Sequence, residues 1–173
     1  MSVKQNTILI FLFIILLLIS SAKAKEAPQS KLGQFSSWTI LKGQSGEHTY
    51  CYAFSEPYYS LYTTAISTRS PYLLVIYKGH RQVTFSSYLG FEITDKANIL
   101  LEVNGSDILL DATPPYSGKT YSSAQDIQLL NEIIESNRYI KIKSFTKFGE
   151  YVADYYKVNG ILKTINFMEK NCN

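Results

Sequence analysis

What most restricts the fold of this 173-residue chain is a pair of cysteines, Cys51 in HTYCYAF and Cys172 in MEKNC. Their chemistry depends on the compartment, and the N-terminus speaks to that. MSVKQN carries Lys4, the run ILIFLFIILLLI from Ile8 to Ile19 is uncharged, and SSAKAKEAPQS offers Ala22 and Ala24 in an A-x-A arrangement. A short basic region, an apolar stretch of about a dozen residues and small residues at the exit describe a secretory signal peptide, cleaved after Ala24. The rival, an uncleaved anchor helix, falls short of the roughly 20 apolar residues that span a bilayer. No cysteine sits at the junction to carry a lipid anchor. Export brings both thiols into an oxidising compartment, where disulfides form and persist. A Cys51–Cys172 bridge closes a loop of about 120 residues, worth on the order of 4–5 kcal/mol in the chain-entropy model, and it ties down a terminal helix that would otherwise fray. Two separate buried thiols are the alternative; a redox pair would want C-x-x-C spacing, which is absent.

The expected organisation is a signal peptide over 1–24, a loose polar lead-in over 25–31 and one domain over 32–173, a length that suits a single core. GQFSSWTILKG reads as a strand with Phe35, Trp38 and Ile40 toward the core. EHTYCYAFS places Tyr50, Tyr52 and Phe54 on one face and Cys51 on the other. PYLLVIYKG, an apolar run between Pro71 and Gly79, has the pattern of a strand buried on both faces, with HRQVTFSSYLG beside it. NILLEVNGSDILLD holds two strand-like runs around Asn104-Gly105, a strong hairpin signal. Asn104-Gly105-Ser106 also matches a glycosylation acceptor, and turn chemistry is the preferred reading. Helices come late. SSAQDIQLLNEIIES puts Ile127, Leu130 and Ile134 on one stripe, with Leu129 and Ile133 beside it and a capping pair at Ser123 and Asp126. RYIKIKSFTKFGEYVADYYKV reads as a hairpin turning near Gly149, its Tyr139, Lys141 and Lys143 facing away from Ile140, Ile142 and Phe145. NGILKTINFMEKNC reads as a helix capped by Asn159, with Ile161, Ile165, Met168 and Cys172 on one face.

Charge and chemistry exclude more than they suggest. The formal charge of +3 falls to +1 once Lys4 and Lys23 leave with the leader, too weak a field to argue for nucleic acid or acidic lipid. Only His48 and His80 are present. Ser45, Glu47 and His48 are near in sequence, but neighbouring strand or turn residues point apart and do not make a triad. His48-x-x-Cys51 could chelate, yet no second Cys/His pair completes a zinc site. Glu92, Glu102, Asp107 and Asp111 are scattered through strands, without the pairing that glycosidic chemistry needs. VNGS and YSGK lack the repeated glycines of a phosphate cradle. The outlier is tyrosine, at 14 residues. SEPYYSLYTTAISTRSPY, punctuated at Pro57 and Pro71, carries Tyr58, Tyr59, Tyr62, Arg69 and Tyr72, and DATPPYSGKTYSS carries Tyr116 and Tyr121. Strands favour tyrosine and pack it at sheet edges, which is the ordinary account. The functional account makes Tyr58, Tyr59, Tyr62, Arg69, Tyr116 and Tyr121 contact residues, because a tyrosine combines a large apolar face with a polar tip.

The order of these segments resembles the invasion-associated locus B family of exported proteins from Gram-negative bacteria. That family has a signal peptide, a G-x-W start, a cysteine in the second strand, a YLLV strand, a glycine turn, then D-x-Y-S-L-x-G-F, a helix and a final cysteine. The counterparts are Trp38 in FSSWTI, Cys51 in YCYAFS, Tyr72 to Val75 in PYLLV, Gly149, and ADYYKVNGILKTINFMEKNC. Departures are Ser36-Ser37 for Gly-Asp, Lys157-Val158 for Ser-Leu, and Tyr121 for a tryptophan. The resemblance implies a compact β-sandwich with a small helical contribution.

The expected fold is thus mostly β with some helix: a disulfide-linked sandwich with one internal helix and a C-terminal helix. By resemblance, the expected role is non-enzymatic protein contact in host-cell invasion or persistence, from the periplasm, the outer envelope or outside the cell. The implied partner is a host-cell or envelope protein. No cofactor, metal or nucleic acid is expected, and membrane contact is at most peripheral. The alternative is a periplasmic housekeeping or assembly protein without host contact; an enzyme of unrecognised type comes third.

Overall fold

A computed structural model describes residues 29–45, 48–62, 68–79, 82–94, 96–114, 116–119, 123–135 and 139–172. The expected leader over 1–24 lies outside them, as do His80 and Tyr121. The described elements run β1 (Ser30–Phe35), β2 (Trp38–Ser45), β3 (His48–Ser55), β4 (Tyr59–Leu61), β5 (Tyr72–Gly79), β6 (Gln82–Tyr88), β7 (Ile99–Val103), β8 (Ser106–Thr113), β9 (Ser117–Lys119), α1 (Ser123–Glu135), β10 (Tyr139–Phe145), β11 (Tyr151–Lys157) and α2 (Ile161–Asn171).

The strands form two antiparallel sheets that share β8. One runs β1-β2-β3-β5-β6-β9-β8, the other β8-β7-β10-β11-β4. Residues Ser106 to Leu110 of β8 pair with β7, and Asp111 to Thr113 pair with β9, so the strand passes from one sheet to the other after Leu110. Such corner strands are how sandwiches join their layers. Alternation supplies the core between them: Trp38, Ile40, Ala53, Leu73, Val75 and Phe85 from the first sheet, and Ile99, Leu101, Ile140, Ile142 and Tyr156 from the second, all at most 1% exposed. Helix α2 packs across β1, β2, β3 and β5; α1 packs on β6 and β7. The Trp38 indole Nε1 donates to the Lys157 carbonyl at 3.1 Å, tying the start of β2 to the end of β11.

Cys51 and Cys172 are joined by a disulfide across a Cα–Cα distance of 5.9 Å. Ile161, Ile165 and Met168 are buried on α2, and the cysteine that follows meets the inward side of β3. The Asn104-Gly105 hairpin forms as expected, with both residues at positive φ, 52° and 83°, between the paired Val103 and Ser106. The β10–β11 hairpin turns at Gly149, where Thr146 Oγ1 accepts from the Phe148 and Glu150 amides.

Several local expectations give way. GQFSSWTILKG is not one strand but a hairpin, folding at Ser36 (φ 55°) so that Phe35 pairs with Trp38. Strand β1 begins at Ser30, inside the expected lead-in, because Ser30 and Lys31 find ladder partners in Lys42 and Leu41. Strand β5 is not buried on both faces: Leu73, Val75 and Tyr77 point in, while Tyr72, Leu74 and Ile76 stay half-buried on the other side. Ser144, not Phe145, follows Ile140 and Ile142 inward, as strict period two requires. Among the described side chains of α1, Leu129, Leu130 and Ile133 are buried and Ile134 is exposed; the side chains of 123–128, with the expected capping pair and Ile127, lie outside the described set. Asn159 does not cap α2. Its N-cap is Gly160 at φ 93°, where a Cβ would sit 2.5 Å from the Phe35 carbonyl oxygen. Positive φ and close backbone approach together call for glycine.

Candidate contact surface

The outward face of the first sheet is built by the same alternation that fills the core. Tyr50, Tyr52 and Phe54 of β3 point away from Cys51 and Ala53, and ladder register sets Tyr52 opposite Leu41 and Ile76, Phe54 opposite Leu74, and Tyr72 opposite Tyr88. The rings associate. Tyr50 and Tyr52 stack at 5.9 Å between centroids. A second row runs from Phe54 to Tyr72 at 6.4 Å, on to Tyr88 at 4.8 Å, and to Tyr116 at 5.8 Å. Gly43 makes room for the first pair: a Cβ there would fall 2.6 Å from the Tyr50 ring. Between the rows lies a shallow groove of about 510 Å³, lined by Gln29, Leu41, Tyr50, Tyr52, Phe54, Tyr72, Leu74 and Ile76. No charged side chain is in that lining. Burial raises the Tyr52 hydroxyl above the ordinary phenol value, and Tyr50 and Tyr72 add to the effect. Burial, then Tyr88, does the same for Tyr72. Both shifts favour the neutral phenol at Tyr52 and Tyr72.

The expected contact residues divide between two places. Tyr116 joins the aromatic row just described. Tyr58 and Tyr59, 52% and 54% exposed, stand at the far edge of the second sheet, and Tyr62 is exposed beside them. Tyr59 leans on Tyr155 at 5.4 Å, Tyr155 on Tyr139 at 5.2 Å, and the Lys157 ammonium lies 5.5 Å over the Tyr58 ring. Arg69 is not on the surface. Its side chain is 3% exposed, its guanidinium forks onto Asp154, and Nη1 also donates to the Leu89 carbonyl at 3.0 Å. The Tyr62 and Phe91 rings sit 5.3 and 5.7 Å from it. Arg69 is therefore turned inward, and its guanidinium is not presented as an outward contact.

The sequence places Tyr50, Tyr52 and Phe54 on one strand face, but that face was not among the expected contact residues, and neither Asp154 nor Tyr88 was singled out. A signal for Asp154 was present: it falls between Val152 and Tyr156 in an alternating strand, so period two places a carboxylate inside. Once buried it needs a cation, and nothing local in the sequence says which.

A cross-strand charge row covers the outward face of the second sheet. Glu102 accepts from Lys141 at 2.6 Å and from Lys143 at 3.1 Å, and Lys143 reaches Asp107 at 2.6 Å. Partial burial pushes the Glu102 carboxyl up, but the hydrogen bonds and charges of the two lysines outweigh it and hold the group below its ordinary value. Burial lowers both lysines, and their carboxylate partners more than restore them. Among the described residues no three His, Cys, Asp or Glu side chains gather as metal ligands, and no described helix is long and apolar enough to cross a membrane.

No family model matches the chain, and no curated protein matches it. A solved structure does: the crystal structure of invasion associated protein B from Bartonella henselae, with a TM-score of 0.56, 14% identity, and coverage of 80% of this chain and 98% of that one. At this identity the likeness is one of fold. The chain shares the fold of that protein, and its own two-sheet structure fits the disulfide-linked β-sandwich that the resemblance implied.

Proposed function

We propose that the chain is an exported, non-enzymatic protein that works by protein contact at the bacterial envelope, in host-cell invasion or persistence. The observation that carries this reading is the aromatic groove on the outward face of the first sheet, whose lining holds no charged side chain, with exposed tyrosines again at the edge of the second. Tyrosine is a preferred contact residue because it covers area at little entropic cost and keeps a hydrogen-bonding tip. A disulfide closing most of the chain suits an oxidising compartment. The name of the structural neighbour adds weight to the invasion role.

The test is protease shaving and impermeant biotin labelling of intact cells, beside a periplasmic control. Labelling of the protein on intact cells supports direct contact with a partner outside the cell. Protection until the outer membrane is opened would sink that part of the reading and leave a periplasmic assembly or housekeeping role.

A further inference from the structure

The edge strand β4 has only three residues and, among the described residues, pairs on one side, with β11. A strand that short contributes little stability of its own. Yet its register decides which side chains face solvent, because a slip of one residue turns every side chain to the opposite face. In the observed register Ser60 lies opposite Asp154, and Tyr59 opposite Tyr155. Ser60 Oγ donates to Asp154 Oδ1 at 2.6 Å. Arg69 Nη2 donates to the same oxygen, and Arg69 Nη1 donates to Oδ2 at 2.6 Å. Asp154 and Arg69 are 1% and 3% exposed, and Arg69 Nε is buried without a hydrogen-bond partner.

As a source of stability the arrangement is poor. Removing two charges from water costs about as much as their attraction returns, and a well-packed apolar pair would hold the site at least as firmly. What an apolar pair lacks is direction. The carboxylate accepts from β4 on one oxygen and is fixed from the far side by a fork that also bonds Leu89 at the end of β6. We infer that Asp154 is a positioning residue, the register pin of β4, and that the Arg69–Asp154–Ser60 linkage is what presents Tyr58, Tyr59 and Leu61 outward in one arrangement. The inference rests on the proposed contact role only for what that arrangement serves.

The experiment is residue-resolved amide hydrogen exchange on the oxidised protein carrying Arg69→Met with Asp154→Leu. The reporter is the Tyr58 amide, which donates to the Tyr155 carbonyl at 2.9 Å. The expected result is a melting temperature equal to or above that of the parent, with Tyr58 exchange faster by about tenfold or more and the amides of Phe85 and Ile142 unchanged. Unchanged Tyr58 protection in the folded variant would overturn the inference. So would parallel loosening of all three amides, which would make the pair simply structural. Should the double variant fail to fold, Ser60→Ala decides: it leaves the ion pair intact and removes only the link to β4. Faster exchange confined to Tyr58 then supports the pin, and no change refutes it. Exchange is read without any partner, so a protein that contacts nothing would still show the pin.

Discussion

At the scale of single residues, backbone demands are sharper than side-chain ones. Gly149 and Gly160 both have positive φ, 83° and 93°, but a Cβ at Gly149 meets nothing within 4 Å, whereas at Gly160 it meets the Phe35 carbonyl. Gly149→Ala should therefore cost about 1 kcal/mol, the strain of a left-handed alanine, and Gly160→Ala about 2–4 kcal/mol, because β1 or α2 must also move. Urea denaturation of the two variants measures the difference, and equal costs would show that the close approach relaxes. Glu102 carries a prediction in pH. Its folded-state value lies below the ordinary carboxyl value, so the stability it contributes is present above that ordinary value and is lost as pH falls through the lowered one. Lys141 and Lys143 are raised above the ordinary 10.5, so their contribution is present below that and is lost as pH rises through the raised values. Glu102→Gln should flatten both limbs of the stability profile, by up to about 1 kcal/mol at low salt. An acid limb identical to the parent's would refute the assignment.

Secondary-structure elements show where local pattern suffices. The Asn104-Gly105 hairpin and the buried stripe of α2 follow from turn chemistry and period alone. Strand β5 does not, since an apolar run says nothing about which layer covers it; Leu74 and Ile76 end up flooring a groove because no second layer lies over that side among the described elements. The α2 staple carries the prediction at this scale. Cys172→Ser should lower stability by about 4–5 kcal/mol in the chain-entropy model for a separation of 121 residues, leave Cys51 as a titratable free thiol, and loosen α2 first. Thiol titration and thermal melting under oxidising conditions check it. Strand β4 was not legible as a strand, because three residues carry no period and its partner β11 lies some ninety positions further on.

For the whole molecule, the contact reading turns on surfaces that two sheets present in opposite directions. If the aromatic face binds, Tyr50→Ser with Tyr72→Ser should reduce capture of a partner by tenfold or more while the melting temperature moves by only a few degrees; each hot-spot aromatic is worth about 2 kcal/mol or more. Tyr58→Ser, Tyr59→Ser and Tyr62→Ser test the β4 edge in the same assay. Capture unaltered by either set would place contact elsewhere. Alternation and turn residues determined most of the longer strands and the two helices, because these are written in neighbours or in fixed periods, and with two cysteines in the chain one pairing alone was open to the staple. Strands β4 and β9 and the turn between β1 and β2 were not legible in this way. Expected contact residues were legible as types: an excess of tyrosine and an arginine between two prolines. Only the tertiary structure decided that Arg69 turns inward onto Asp154, that Tyr116 meets Tyr88, and that β8 joins the two layers. The physical reason is range. Hydrogen bonding and period act within a few residues, whereas the partner of a buried charge and the cover over a sheet face are set by which distant strands arrive beside them.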